Sequence, residues 1–242
     1  MKTTVKSLIS IFFLLTFIFS LAGCGKTAEP IIIDSYNDGV GMARSLRTSD
    51  VETVEGILEN ELPREDFGLT SVYACGGAVY EGVPVHIIGI DTENAAALGF
   101  EKLEDGILYL EKAPADSMEL EINVTKVLED GGYHSYDITN ITYKAKSGVE
   151  AEFVETVVNG FLTPSCETDT ICFVNMKTYT KIASAYIGKE IEDIYSETHE
   201  SELLDFKGII VETGREKEAQ SILEEGGYRY NFANECRNVV WQ

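Results

Sequence analysis

Near both ends of this chain a strand, a helix and a second strand follow one another, and this repeated β-α-β order most constrains how the chain can fold. Near the start, a β run at 31–36 precedes a helix pattern in which Ser49 and Glu52 have the spacing of a capping box. Near the end, a strand at 208–213, a helix at 215–225 and a strand at 228–240 are predicted. Each helix must cover a sheet face to bury its apolar stripe, so the two units can share one sheet.

The middle of the chain is predicted to be rich in strands. Strands at 66–80, interrupted at Gly76-Gly77, and at 83–90 follow the first helix. From Gly106 to Val174 the helical period disappears, and alternating runs such as the one from Phe153 to Val157 replace it. A helix at 176–186 leads back to the last unit. These patterns predict an α+β fold in which 31–105 and 175–242 form one α/β subdomain and 106–174 form an inserted β-rich subdomain.

The first residues have the pattern of an export signal. Lys2 and Lys6 precede an apolar run from Leu8 to Leu21, and the sequence Leu21-Ala-Gly-Cys24 follows. The run is short for a bilayer core, which needs about 20 apolar residues. The Leu-Ala-Gly-Cys box resembles that of bacterial lipoproteins, which implies a signal peptide at 1–23, an acylated Cys24 and a tether at 24–30. We therefore expect a protein anchored in the lipid bilayer on the extracytoplasmic side of the cell membrane, the alternative being an uncleaved anchor.

Four cysteines follow Cys24, namely Cys75, Cys166, Cys172 and Cys236. An even number in an exported chain permits two disulfides, and the sequence cannot choose among the three connectivities that four cysteines allow. Cys166 and Cys172 flank an acidic turn, which favours a short loop closed by that pair. Free buried thiols are the alternative.

Charge and motifs exclude several classes of function. The formal net charge is −22, and it becomes −24 when Lys2 and Lys6 leave with the signal peptide, so a nucleic-acid partner is not expected. The sequence contains no nucleophile elbow, phosphate-binding loop or zinc-protease motif, and it predicts no catalytic residue, metal site or cofactor. We interpret His86 as a core or edge residue of a strand and His134 and His199 as solvated turn residues. The acidic stretch 190–202 lacks the ligand spacing of an EF-hand.

Several stretches of the chain resemble one transporter family. The segment 31–61, the strand Val83-Pro-Val-His-Ile-Ile-Gly-Ile-Asp91 and the segment 98–106 are similar to the opening of the extracytoplasmic core domain of MacB/FtsX-type ABC transporter permeases. The segments 173–179 and 208–228 are similar to its return and closing units. The resemblance implies a ferredoxin-like, porter-type sheet subdomain with a β-rich insertion. No apolar run after Cys24 is long enough to span a membrane, so we expect either a free-standing, lipid-tethered copy of such a domain or an incomplete permease.

The leading functional hypothesis is a non-catalytic binding or scaffold module that pairs with an ABC permease or captures an extracellular ligand. The negative charge would attract cationic peptides at long range, so capture of antimicrobial peptides is one alternative. A cell-envelope hydrolase with two carboxylates as acid and base is the other, because such chemistry requires only a suitably spaced pair. The sequence singles out no such pair.

Overall fold

The computed structural model describes residues 29–37, 43–93, 95–128, 132–162, 170–188, 190 and 204–232. This part of the chain is a mixed α+β structure. Its strands are β1 (Ile31–Asn37), β2 (Ala43–Ser45), β3 (Phe67–Tyr80), β4 (Val83–Thr92), β5 (Ile107–Leu110), β6 (Ser117–Val127), β7 (Tyr133–Ser147), β8 (Thr170–Asn175), β9 (Phe206–Thr213) and β10 (Tyr228–Phe232). Its α-helices are α1 (Ser49–Glu59), α2 (Ala151–Phe161), α3 (Met176–Ile187) and α4 (Glu216–Glu225), and short 3₁₀ turns lie at Arg64–Asp66 and Ala95–Leu98.

Six of the strands close into a barrel. Their order is β3-β4-β8-β5-β7-β6, and β6 pairs back onto β3 at Ala78 and Val79. Side chains from all six strands form one core with the apolar side of α3, including Ile87, Leu108 and Leu120. The barrel is therefore filled by packed side chains. Because β3 and β4 belong to it, the subdomain boundary predicted at 105/106 runs through the barrel.

The long strand β3 also belongs to a second, open part of the sheet with the order β10-β1-β9-β3, in which neighbouring strands are antiparallel. Helix α1 connects β1 to β3, and α4 connects β9 to β10, so each helix crosses over one intervening strand. Both helices pack on the same sheet face through Val54, Leu58, Ala219 and Leu223. The two ends of the chain thus share one sheet, as the sequence predicted.

Helix α2 packs on the opposite face of the sheet, and its presence shows that one sequence prediction is wrong. The run from Phe153 to Val157 was expected to be a strand, but it lies within α2, where Phe153 and Val157 are buried and Glu155 is exposed. In a strand, residues 153 and 157 lie on the same side because side chains alternate. In a helix, they also lie on one side because they are four residues apart. The short pattern therefore could not distinguish the two structures.

Other local predictions have mixed outcomes. The interruption at Gly76-Gly77 is a β-bulge, and Gly77 has φ +83° with the Tyr186 ring 2.1 Å from the position that a Cβ would occupy. The predicted capping box is wrong, because α1 begins after Thr48 without any side-chain cap hydrogen bond. His86 lies in β4, as predicted, whereas His134 lies in β7 and not in a turn.

Some predictions concern residues outside the described part of the chain. These include the signal peptide with Cys24, His199, most of the acidic stretch 190–202 and the end of the last predicted strand, since the structure describes β10 only as far as Phe232. Among the helices that the structure describes, none is long and apolar enough to span a membrane.

Candidate functional site

A cleft of about 500 Å³ lies where β3 begins beside the end of β9. It is lined by residues 64–69, Glu93 and residues 212–214. The antiparallel register places Phe67 opposite Thr213 and Gly68 opposite Glu212, so the start of one strand and the end of the other form adjacent parts of the wall. The volume is within the range of about 300 to 1,000 Å³ that is common for ligand pockets.

Arg64 forms one side of the cleft, and its guanidinium is already paired with acidic side chains. Pro63, with φ −56°, precedes the 3₁₀ turn that carries Arg64. The guanidinium lies 5.0 Å from the centre of the Phe67 ring and donates a hydrogen bond of 3.0 Å to the Phe67 carbonyl oxygen. It also forms ion pairs of 3.2 Å with Glu93 of the lining and 3.2 Å with Glu55 of α1. Arg64 is therefore held in place by surrounding oxygens.

Arg215, which follows the lining residue Gly214, neutralises a second acid of the wall. Its guanidinium forms an ion pair of 3.2 Å with Asp66 and another with Glu218. The Thr213 hydroxyl donates to the Asp66 carbonyl oxygen at 2.8 Å and accepts from the Arg215 amide at 3.1 Å. These bonds fix the loop after β9 against the 3₁₀ turn before β3. The Asp66 carboxylate therefore already has a cationic partner.

Glu212 differs from these acids. Its half-buried carboxylate has no hydrogen-bond or ion-pair partner among the residues that the structure describes, and burial raises its pKa. Opposite it stands Gly68, where an added Cβ would lie 3.8 Å from the Glu212 Oε2 atom, so the glycine places no side chain beside the carboxylate. An ionised carboxylate that has left water without gaining a partner carries a desolvation penalty. A cationic group entering the cleft would supply the missing partner.

The lining as a whole favours cations. It contains one basic side chain, Arg64, and four carboxylates, those of Glu65, Asp66, Glu93 and Glu212. Ammonium and guanidinium groups donate hydrogen bonds to carboxylates and bind them most strongly when the pair is partly removed from water. Within the described ranges, no group of three or more histidine, cysteine or acidic side chains could hold a metal ion.

The cysteines considered from the sequence lie elsewhere. Cys75 and Cys172 are free, buried thiols of the barrel core, and burial raises the pKa of each to about 12. The register places Cys75 opposite Ile87 and Ile87 opposite Cys172, so the two thiols are two strands apart, about 10 Å. A disulfide requires Cα atoms within about 7 Å. Cys75 and Cys172 therefore do not form a disulfide with each other, and both are free thiols in the described structure. Cys24, Cys166 and Cys236 lie outside the described residues, so the predicted Cys166–Cys172 pairing stays a prediction.

Sequence reasoning missed the cleft residues. One signal was present, because Glu212 follows Ile209-Ile-Val211 in a strand and alternation places it on the same side as the buried Ile210. A carboxylate at such a position needs an explanation. The pairing with Gly68, some 140 residues earlier in the chain, is what turns it into the wall of a cleft.

The chain matches no known protein family model, and no curated protein is significantly similar to it. The resemblance to the external domain of ABC permeases therefore remains a hypothesis.

Proposed function

We propose that this protein is a non-catalytic lipoprotein, tethered on the extracytoplasmic side of the cell membrane, that binds a ligand through a cationic group in the Glu212 cleft. The observation that carries the proposal is the partly buried Glu212 carboxylate, which has no partner among the described residues. Arg64 of the lining and Arg215, which follows the lining residue Gly214, are both paired with other acids. A chain that served only as a scaffold would gain stability from a neutral residue at this position. Retaining the carboxylate is the kind of stability cost that binding sites carry.

A cationic peptide is the ligand class that the electrostatics favour. The formal net charge, −22 for the whole chain and −24 without Lys2 and Lys6 of the signal peptide, attracts positively charged molecules at a distance, and the cleft then offers one carboxylate that gains a partner on binding. Long-range attraction is screened by salt, whereas the contact with a partly buried carboxylate is screened less. Capture of a cationic peptide would therefore combine a salt-sensitive encounter with a local contact at Glu212.

The proposed assembly with an ABC permease rests on the fold. We propose that β10-β1-β9-β3 is a ferredoxin-like sheet of the porter type, with the other five barrel strands, β4 to β8, inserted along the chain between β3 and β9. The strand order and the two crossovers through α1 and α4 support this proposal. A lipid-tethered copy of such a domain could pair with the external domain of a permease and present the captured ligand to it.

The hydrolase alternative also draws on Glu212. A carboxyl group whose pKa is raised by burial is suited to act as a general acid. Glycosidase chemistry would require a second, ionised carboxylate that is available to the substrate. Of the other lining acids, Asp66 and Glu93 each already pair with an arginine, and Glu65 is exposed. Binding therefore accounts for more of the cleft than hydrolysis does.

Calorimetric titration with a lysine-rich peptide tests the binding proposal. We expect Glu212→Gln to weaken binding about ten-fold or more, because it removes the charged partner and leaves the shape almost unchanged. Glu225→Gln, an exposed position at the end of α4, makes the same change in net charge and is the matched control. Equal losses in the two variants would show that only the overall charge matters and would contradict a site at Glu212.

The pH dependence of the same titration gives a second readout. Because burial raises the pKa of Glu212, lowering the pH protonates this carboxyl before the ordinary acids of the surface. Peptide affinity of the unaltered protein should fall over that pH interval, whereas the affinity of Glu212→Gln should change little there.

Release of reducing sugars from cell-wall glycan by the unaltered protein, lost in Glu212→Gln, would favour the hydrolase instead.

The membrane tether requires its own experiment. Cys24→Ser removes the thiol that would receive the lipid, so the protein should leave the membrane fraction or retain its signal peptide. Unchanged processing together with unchanged membrane retention would contradict lipidation of Cys24. Mass spectrometry of the mature N-terminus distinguishes these outcomes directly.

A further inference from the structure

The hairpin of β6 and β7 presents a free strand edge. Strand β7 pairs with β6 from Tyr133 to Lys144, but on its other side it pairs with β5 only from Lys144 to Ser147. In the described part of the chain, the segment Asp137–Tyr143 therefore has a neighbouring strand on one side only; we call it the β7 edge. An edge of this kind leaves main-chain N–H and C=O groups available to another strand.

The composition of the β7 edge is unusual for this protein. The sequence Asp-Ile-Thr-Asn-Ile-Thr-Tyr has one charged residue in seven, although the chain carries a net charge of −22. Four of its residues are β-branched, which favours pairing in a sheet. Among the large apolar residues that the structure describes, only Val83 and Ile138 are exposed, and Ile138, at 59%, is the more exposed of the two. The edge has neither proline nor lysine, the residues that commonly block edge pairing.

A bulge limits the edge on its N-terminal side. The β6–β7 register shifts between Val124 and Thr125, whose partners are Asp137 and Ser135, so one residue of β7 has no opposite partner. Bulges bend a strand and increase its twist. The β7 edge that follows is regular from Asp137 onward, and the β5 pairing at Lys144 closes it at the other end.

We propose that the β7 edge pairs with the same edge of a second copy of this chain, antiparallel and across a two-fold axis. Opposite residues of an antiparallel pair have their side chains on the same face of the sheet, so in a two-fold arrangement one residue must lie opposite its own copy, with the axis passing midway between the two. With Asn140 at the axis, Ile138 lies opposite Thr142, Thr139 opposite Ile141 and Asp137 opposite Tyr143. No acid faces another acid in this register.

Electrostatics permit a second copy at this surface. Two chains that each carry a formal net charge of −22 repel one another overall, but the repulsion at close range is smallest where the local charge is low, as it is along the β7 edge. The nearest acids of the adjacent strand are Glu119, which accepts a hydrogen bond of 3.0 Å from Asn140, and Glu121. In the paired arrangement these acids of the two copies are separated by three strand spacings, about 14 Å. That separation exceeds the screening length of about 8 to 10 Å at physiological salt.

The expected dimer is weak. A pair of seven-residue strands forms about six to eight main-chain hydrogen bonds and buries less than the roughly 1,600 Å² of a standard stable interface. Copies held on one membrane surface would meet at a raised effective concentration, which favours such a contact. The remaining repulsion between two acidic chains predicts that added salt strengthens the dimer, whereas salt weakens the binding of a cationic peptide.

Sedimentation equilibrium and hydrogen exchange of the full-length protein in mild detergent test this proposal, which does not depend on the proposed ligand. We expect dimers that increase with protein concentration and with salt, together with slowed exchange of the amides of 137–143. Asn140→Lys places two like charges opposite each other at the axis and should abolish the dimer. Since this change makes the negative net charge of each chain smaller in magnitude by one, a weaker association cannot come from increased long-range repulsion. Asn140→Thr is the matched control and should retain the dimer.

Each outcome decides the proposal. A monomer at every concentration and salt would overturn it, as would a dimer that protects other amides or that persists in Asn140→Lys with native circular dichroism. Protection of 137–143 only when a lysine-rich peptide is added would assign the edge to a peptide and overturn the pairing of copies. Loss of the dimer in Glu212→Gln is not expected, so this experiment and the ligand titration can fail independently.

Discussion

Asp50 provides the sharpest test of how the open sheet is held to its helices. The residue is 5% exposed, and its carboxylate accepts two hydrogen bonds, each of 2.7 Å, from the guanidinium of Arg44. It also accepts 2.6 Å from the Arg47 amide and 3.3 Å from the Tyr228 hydroxyl. One side chain thus joins β2, the start of α1 and β10. We predict that Asp50→Asn, which keeps the shape and removes the charge, destabilises the protein substantially.

The magnitude follows from these contacts. The asparagine side chain has only one accepting oxygen, and its NH₂ group would face the N–H donors of Arg44 and Arg47. The bidentate hydrogen bond with Arg44 is therefore lost. Hydrogen bonds to charged groups contribute about 1.5 to 3 kcal/mol each. The Arg44 side chain is 39% exposed and regains water when the pair is broken, which reduces the loss. We expect a decrease of about 2 to 3 kcal/mol in the free energy of unfolding, equivalent to a shift of about 5 to 10 °C in Tm.

The pH dependence of this stabilisation has a definite sign. Burial alone would raise the pKa of Asp50, but the hydrogen bonds from Arg44 and the Arg47 amide outweigh it, and the pKa is lowered from the model-compound value of 3.8. A carboxyl group whose pKa is lower in the folded state stabilises the fold above its unfolded pKa. That contribution is lost as the pH falls through the folded pKa. The difference between the unaltered protein and Asp50→Asn should therefore be full at neutral pH and shrink below about pH 4.

Urea unfolding followed by circular dichroism measures both effects. Asp34→Asn is the matched control, because Asp34 is exposed and its one described hydrogen bond comes from the neighbouring Ser35. The control should change stability by less than about 0.5 kcal/mol. A loss below about 1 kcal/mol in Asp50→Asn, or a loss of equal size at neutral and strongly acidic pH, would refute the argument from this network.

Two further predictions concern the barrel. Gly89→Ala would place a Cβ 2.5 Å from the Tyr179 ring, which is fully buried, and should cost about 1 to 3 kcal/mol in urea unfolding. Gly56→Ala, on the exposed side of α1 with no atom within 4 Å, should instead stabilise by about 0.5 to 1 kcal/mol, and equal effects of the two changes would contradict the packing. Cys75 and Cys172 should resist alkylation in the native state, because they are buried and burial raises the pKa of each to about 12. Peptide-resolved mass spectrometry would contradict this if either thiol reacted before unfolding.

The fold could be predicted where the pattern was long and local. The helices α1 and α4 and the strands beside them follow from apolar spacing and from glycine at the turns, and so does the bulge at Gly76-Gly77. Helix α2 was missed because five residues from Phe153 to Val157 fit two periods equally well. The closed barrel was missed because it depends on β6 pairing with β3, and alternation within a strand does not identify its neighbour.

The candidate site could not be predicted from the sequence either, because it too depends on which strands and loops become neighbours. Glu212 was visible as an acid in an apolar strand, but its register opposite Gly68 and the pairing of Arg64 and Arg215 with other acids depend on contacts between distant segments. Only those contacts leave its carboxylate partly buried without a described partner.

The amino-acid sequence by itself determined the charge of this protein and the order of most of its strands and helices, because charge is a sum over residues and periodicity is a local property. Tertiary structure alone decided that β3 serves both the barrel and the open sheet, that Cys75 and Cys172 are two strands apart, and that the β7 edge has one neighbour among the described strands. These features depend on which segments meet across long stretches of chain. Their energies come from packing and desolvation, which are properties of an assembled surface.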